Sequence, residues 1–300
     1  MALPPAHLAG AFVPLELGPP FVAGLLYARR ASTLAGRGKP VPIWRQGCFA
    51  SGLLLIGVAA FSPIGHISEE LVSVHMVEHL LIGDIAALML VLGLTGPLLQ
   101  PLLAIRPLDR LRVLAHPAVA LPLWALDLYL WHIPTLYQDA YGGAAAHALE
   151  HTMFIFFGCL MWMALLGPLP RPAWFGNGWK LGYALAVRFS GVVLGNVLMW
   201  SGTVFYPRYE HGEAYWGISP LTDQSTAGAI MMVEGTLVVL GVFAWLFFRT
   251  AREGTERQRL MELAEARGVV LDEARAARAV AAGQGKRLEE RLLATDGEGG

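Results

Sequence analysis

The sequence predicts an all-α fold: a polytopic membrane helix bundle of about seven transmembrane helices, with the amino terminus outside and the carboxyl terminus inside. Three observations predict it. Mean hydropathy is +0.50, and 55% of residues are hydrophobic against 15% charged, where an ordinary soluble domain is about 25% charged. Seven apolar segments are long enough, or nearly so, for a hydrocarbon core that needs about 20 mainly apolar residues. Lys and Arg are concentrated in alternate connections between these segments, as the positive-inside rule requires.

Taken in order, the first span, Ala11 to Ala28, is broken by Pro14, Pro19 and Pro20, and the second, Gly47 to Ser62, is short. The remaining spans are Leu71 to Leu94, Val113 to Trp131, Ala146 to Gly167, Leu181 to Thr203 and Ser225 to Phe248. Met1 to Pro20 has no basic residue before its apolar run and no clear cleavage site, so it reads as the first span and not as a removed signal peptide.

Orientation follows from the connections. The first carries Arg29, Arg30, Arg37, Lys39 and Arg45, the third Arg106, Arg110 and Arg112, and the fifth Arg171 and Lys180. Pro63 to Glu70 and His132 to Ala145 carry no basic residue, and Val204 to Gln224 has only Arg208 beside Glu210, Glu213 and Asp223. The expected location is a membrane, multi-pass, with the lipid bilayer as one partner. The net charge of -1 is uninformative beside this distribution, and no basic surface suggests nucleic acid. Cys48 and Cys159 lie in different spans at different depths, which argues against a disulfide and makes each a small apolar filler.

The organisation is therefore a membrane domain over residues 1–248 and a cytosolic charged helical tail over 249–300. From Arg249 onward ten basic and ten acidic residues alternate with Ala and Leu, ending in Thr295 to Gly300, which is expected to be flexible. The tail reads as a solvated helix, or alternatively as a coiled-coil or partner-docking helix.

One pattern occurs twice, as His75-Met-Val-Glu-His79 and His147-Ala-Leu-Glu-His151, each at the start of a span on the predicted outer side. Residues four apart on a helix share a face, with Cβ atoms about 5 to 6 Å apart, so each copy can aim two imidazoles at one point. His132 closes the fourth span before Pro134, which cannot continue a helix, and brings a third helix end to the same level. His66 lies on that side too. Of nine histidines only His116 falls inside, while His7 and His211 are outside without paired spacing.

Imidazole suits Zn, Cu, Fe and Ni, and thioether sulfur favours Cu(I). Met76, Met153, Met199, Met231 and Met232 fall in or near outer halves of spans, either as core filler or as optional ligands. The expected metal ligands are His75, His79, His132, His147 and His151. The same residues have a purely structural reading, as interfacial imidazoles bonded to carbonyls. Glu78 and Glu150 point about 100° away from the second histidine of each pair, either to orient a ligand on a neighbouring helix or, the preferred reading, to face water.

Asp84, Arg188 and Glu234 fall mid-span, and Asp127 lies about one turn below His132. Charges at that depth should be paired, so Arg188 is expected to meet Asp84 or Glu234, with Asn196 as a further polar contact. A proton or ion pathway is the functional alternative.

The paired motifs, Leu92-Gly-Leu-Thr-Gly-Pro97, Trp131-His-Ile-Pro134 with Tyr137, Trp162 and Pro168, and Asp223-Gln224 with Ala227-Gly228 resemble the CtaG family of cytochrome c oxidase assembly factors, caa3 type. The resemblance runs from roughly Phe12 to Phe248 and excludes the charged tail. It implies a plasma-membrane assembly factor, not an enzyme, that helps copper reach a haem-copper oxidase, with oxidase subunits and a copper donor protein as partners. His75, His79, His132, His147 and His151 match the family's histidine motifs, and Asp223 and Gln224 stand at the mouth of the last span.

Two other classes compete. H-x-x-E-H is also a zinc-protease signature, here without a soluble catalytic domain. Paired histidines on facing helices can ligate haem, and midplane charges suit a metal or ion transporter.

Overall fold

The computed structural model describes residues 9–141, 144–281 and 283–294. His7 and the end of the tail, Thr295 to Gly300, lie outside the described residues.

Every described element is helical. In chain order they are α1 (Ala9–Gly36), α2 (Ile43–Phe61), α3 (Pro63–Ile67), α4 (Val72–Leu80), a π-helical turn (Leu81–Ala86), α5 (Ala87–Gly93), α6 (Gly96–Leu103) and α7 (Arg106–Leu111). They continue with α8 (Pro117–Trp131), α9 (Pro134–Tyr141), α10 (Ala144–Leu166), α11 (Asn177–Trp200), α12 (Glu210–Trp216), α13 (Pro220–Ala266), α14 (Glu273–Ala281) and α15 (Gly285–Ala294). Short 3-10 turns at Arg112–Ala115 and Pro207–Tyr209 complete the path.

Among the described residues, five helices are long and apolar enough to cross a membrane: Ile43–Phe61, Val72–Gly93, Ala145–Leu166, Asn177–Trp200 and Pro220–Ala266. The apolar helix Pro117–Trp131 has 15 residues, about 22 Å at 1.5 Å per residue, and is shorter than the core it was expected to span. Its start moved from Val113 to Pro117 because proline favours the first helical position, and His116 caps it, Nδ1 accepting from the Ala118 N–H at 3.2 Å. α13 does not stop at Phe248 but runs on to Ala266.

The described chain falls into two compact units, divided at Val238 and Val239. In the first, the π turn and α5 form a central run packed between α2 and α10, and α4 leads into it. The π turn frees backbone carbonyls from the regular ladder, and Trp162 Nε1 donates to the Asp84 carbonyl at 3.1 Å and to Asp84 Oδ1 at 2.8 Å. Glycines set the close crossings. A Cβ on Gly158 would collide with the Gly83 carbonyl, and one on Gly228 with the Gly195 carbonyl, the small-residue contact that lets apolar helices approach.

One end of this unit gathers the cations at helix carboxyl ends, where the backbone dipole favours positive charge. Arg45 Nη1 donates to Leu92 and Leu94 carbonyls at 2.9 and 2.6 Å, Arg30 to Pro97, and Arg171 to Ala164 and Gly167. The paired histidines sit at the opposite ends of these helices, on the first turns of α4 and α10. Cys48 and Cys159 are free thiols, both half-buried.

The midplane expectation is corrected. Arg188 Nη2 donates to the Met232 carbonyl at 3.0 Å and to Thr236 Oγ1 at 2.7 Å, with no ion pair to Asp84 or Glu234 among the described residues. The Asp84 carboxylate instead accepts from Trp162 Nε1 at 2.8 Å. Asn196 Nδ2 donates to Val192 of its own helix at 2.9 Å. The reason is geometric: the backbone carbonyl and hydroxyl on α13 lie closer to the guanidinium than either acid.

The second unit has its own core. Leu260, Ala264, Leu271, Ala276, Val280, Leu288 and Leu292 pack together, with Arg257 to Glu273 at 3.4 Å and Arg259 to Glu289 at 2.5 Å on its surface. The tail is thus not one solvated helix. Gly268, at φ 65°, takes the left-handed conformation that glycine adopts freely and turns the chain back after α13.

Candidate metal centre

The i, i+4 spacing on α4 stacks His75 and His79 with ring centroids 4.0 Å apart, and that on α10 stacks His147 and His151 at 4.1 Å. The two pairs face each other: His75 to His147 is 5.9 Å and His79 to His151 is 5.2 Å. One ring nitrogen from each of His75, His79 and His147 lies within 4.8 Å of the other two. A second group, one carboxylate oxygen of Glu78 with His147 and His151 nitrogens, meets the same limit. Metal–nitrogen bonds are about 2.0 to 2.1 Å, so two ligands of one ion stand at most about 4 Å apart. A small rotamer adjustment closes the remainder.

His132 is not in this group. Its Nδ1 bonds the Leu128 carbonyl at 2.7 Å, closing its own helix, and its ring is 6.4 Å from Phe154, which in turn lies 4.6 Å from His79. Phe154 thus packs beside both His132 and His79. His66 is exposed on α3, His211 is exposed on α12, and His116 lies against Trp174 at 5.9 Å.

Glu78 and Glu150 do not face water. They are 3% and 1% exposed, because α10 covers the face of α4 that carries Glu78, and α4 and α8 cover that of α10. Glu150 Oε1 lies 3.8 Å from His79 Nε2. Met76 and Met231 pack in an apolar cluster with Tyr137, Leu194, Leu198, Tyr206 and Tyr209, and Met153 packs beside Trp131 and Phe154.

Among the supporting residues, Tyr206 and Tyr209 went unread in the sequence, while Tyr137, Asp223 and Gln224 were marked there by the family resemblance. Tyr137 and Tyr209 share a hydrogen bond of 2.5 Å and flank His75 at 5.2 and 6.4 Å. Tyr206 donates to the His132 carbonyl at 3.0 Å, and burial pushes its phenol up. Asp223, on the first turn of α13, accepts from the Val72 N–H at 2.6 Å, the Ser73 N–H at 3.1 Å and the Ser73 hydroxyl. It thereby satisfies the amino end of the helix that carries His75 and His79. Gln224 holds the preceding connection, accepting from Phe205 N–H at 2.7 Å and donating to Thr203 O at 3.0 Å.

A helical protein with several apolar helices of membrane length belongs among membrane proteins, and this one buries a histidine–carboxylate cluster. The family model for cytochrome c oxidase caa3 assembly factors matches residues 25–253, and the chain belongs to that family. Curated relatives include uncharacterized proteins of Mycobacterium bovis and Mycobacterium tuberculosis, each 26% identical over 77% of this chain and 38% of their own length. One from Mycobacterium leprae is 24% identical over 80% of this chain and 38% of its own. The chain thus spans little over a third of the curated relatives it matches. No solved structure matches it.

Proposed function

We propose that this chain is a multi-pass protein of the bacterial plasma membrane that assists assembly of haem-copper cytochrome c oxidase by holding copper as cargo at the outer face. His75, His79, His147 and His151 are the ligands, and His132 stabilises the adjoining helix end. The observation that supports this reading is the convergence of imidazole nitrogens from two helices within 4.8 Å, at the helix ends opposite those held by Arg45 and Arg171. Copper for an oxidase is loaded from the outer side, and helix ends at the interface leave a donor protein and an oxidase subunit access that a midplane cage would deny. The seven-span topology, amino terminus outside, belongs to the same proposal: α1 and α8 join the five long helices as spans. The role is one of binding and transfer without turnover.

The fit test favours an ion over a haem. Four imidazoles packed ring against ring form a compact donor set, whereas a macrocycle needs a slot between its two axial rings. Metal analysis of the purified protein is the test. Wild type is expected to retain copper and His79→Ala and His151→Ala to lose it; copper retained by both variants defeats the site. In a deletion strain, oxidase activity should fall and be partly restored by added copper.

A further inference from the structure

Copper binding by the paired histidines leaves unused a cleft of about 670 Å³ lined by side chains of α1, α2, α5, α6 and α10. Leu26, Leu102 and Phe156 in its wall are exposed large apolar residues, so the cleft is open along its flank. Its hydroxyl groups are spent on backbone carbonyls. Tyr27 Oη donates to Gly93 at 3.1 Å, Thr33 Oγ1 to Arg29 at 2.8 Å and Thr152 Oγ1 to Ala148 at 2.8 Å. The exceptions are two adjacent cations, Arg29 and Arg30. Arg30 gives Nε and Nη2 to the Pro97 carbonyl at 3.2 and 3.0 Å, which fixes its guanidinium across to α6. Arg29 is exposed, and its guanidinium has no hydrogen bond or ion pair among the described residues. No acidic residue stands among the described residues of the lining, and the sequence has none from Leu17 to Ser68.

The dimensions add to the charge argument. Along α1 the lining starts at Pro19, and Arg29 lies ten residues further on, a rise of about 15 Å at 1.5 Å per residue. Half of a hydrocarbon core of about 30 Å is the same 15 Å. An apolar cleft one leaflet deep that ends in paired guanidiniums matches an acyl chain joined to a phosphate, whose oxygens accept the forked donors of arginine. Basic pockets between membrane helices take anionic headgroups by the same chemistry. We propose that this cleft binds one anionic phospholipid, its acyl chain lying along α1 and its phosphate on Arg29 and Arg30. The site is independent of the copper proposal. Bound there, the lipid bridges α1, α6 and α10 as a structural member of the bundle.

The test uses the full chain purified in detergent. It is titrated with phosphatidylglycerol and with phosphatidylethanolamine carrying the same acyl chains, and bound lipid is counted by native mass spectrometry. Wild type is expected to hold one phosphatidylglycerol per chain and to prefer it by about tenfold, given two arginines at the headgroup. Arg29→Gln should weaken phosphatidylglycerol binding by about fivefold, the worth of one such cation, and leave phosphatidylethanolamine binding unchanged. Ala23→Trp, which fills the apolar part of the cleft, should weaken both. Glycerol phosphate, a headgroup without a chain, should not displace the lipid. Equal affinity of wild type for the two lipids overturns the proposal, as does binding of neither, and these arms need no variant to fold. An unchanged preference in Arg29→Gln overturns it too. Displacement by glycerol phosphate overturns it by leaving a phosphate site only.

Discussion

Asp223 reaches across 150 residues of sequence to Ser73, where its carboxylate takes the backbone N–H and the hydroxyl of that residue together with the Val72 N–H. The residue at the cap position, Leu71, offers no side-chain acceptor of its own, so α13 supplies the cap for α4. The helix that presents His75 and His79 is therefore registered by a distant one.

Asp223→Ala should destabilise the detergent-solubilised protein by roughly 0.5 to 2 kcal/mol, the range for losing a helix cap, and lower its metal occupancy. Asp223→Asn, which keeps an oxygen acceptor, should lose less. Thermal unfolding and metal content measured on the same preparations check this.

Glu213, 1% exposed on α12, has its carboxyl raised to about 7, first by burial and then by the neighbouring Asp223 charge. A carboxyl raised on folding contributes stability that is fully present below its unfolded value near 4.5 and is lost as pH rises through about 7. Melting temperature should fall between pH 5 and 8, and Glu213→Gln should flatten that slope. An identical slope in the variant would assign the titration elsewhere.

Asp84→Asn should leave folded protein at wild-type levels. Its Oδ1 can still accept from Trp162. The change in stability should stay within about 1.5 kcal/mol, the net worth of one hydrogen bond. Quantified membrane expression and oxidase assembly together separate a structural from a proton-carrying role: intact protein with lost assembly favours the latter.

Gly158→Ala should destabilise by about 1 to 3 kcal/mol, the cost of overpacking, because its Cβ meets the Gly83 backbone and not a yielding side chain. Gly182→Ala, where a Cβ meets open space, is the control and should be neutral or stabilising in melting experiments.

The helical class and the histidine cluster were legible because both are periodic. Apolar runs of membrane length are visible in composition, and i, i+4 spacing fixes which side of a helix His75 and His79 share. Burial of Glu78 and Glu150 was not legible, since the helical wheel gives their angle to the histidines but not which neighbour covers that angle. Depth along a span says nothing of lateral position, so the bond of His132 Nδ1 to the Leu128 carbonyl and its place beside Phe154 were not legible. The Asp223 cap and the Arg188 bonds to Met232 and Thr236 depend on tertiary approach, which no local pattern encodes. In the tail, alternating charge disguised the Leu and Ala positions that form a separate core.

The meeting of Gly83 and Gly158 has an effect well beyond its own position. α10 lies tight against the π turn and α5, but its backbone stands off from α4, where imidazoles fill the gap. His151 is seven residues from Gly158, a lever arm of about 10 Å, so a tilt of about 5° at the glycine vertex would move the donor atoms by roughly 1 Å. The spacing between the facing imidazoles is thus gauged by two missing side chains, and on the copper proposal a partner protein that nudged either helix would loosen or tighten the grip without touching a ligand.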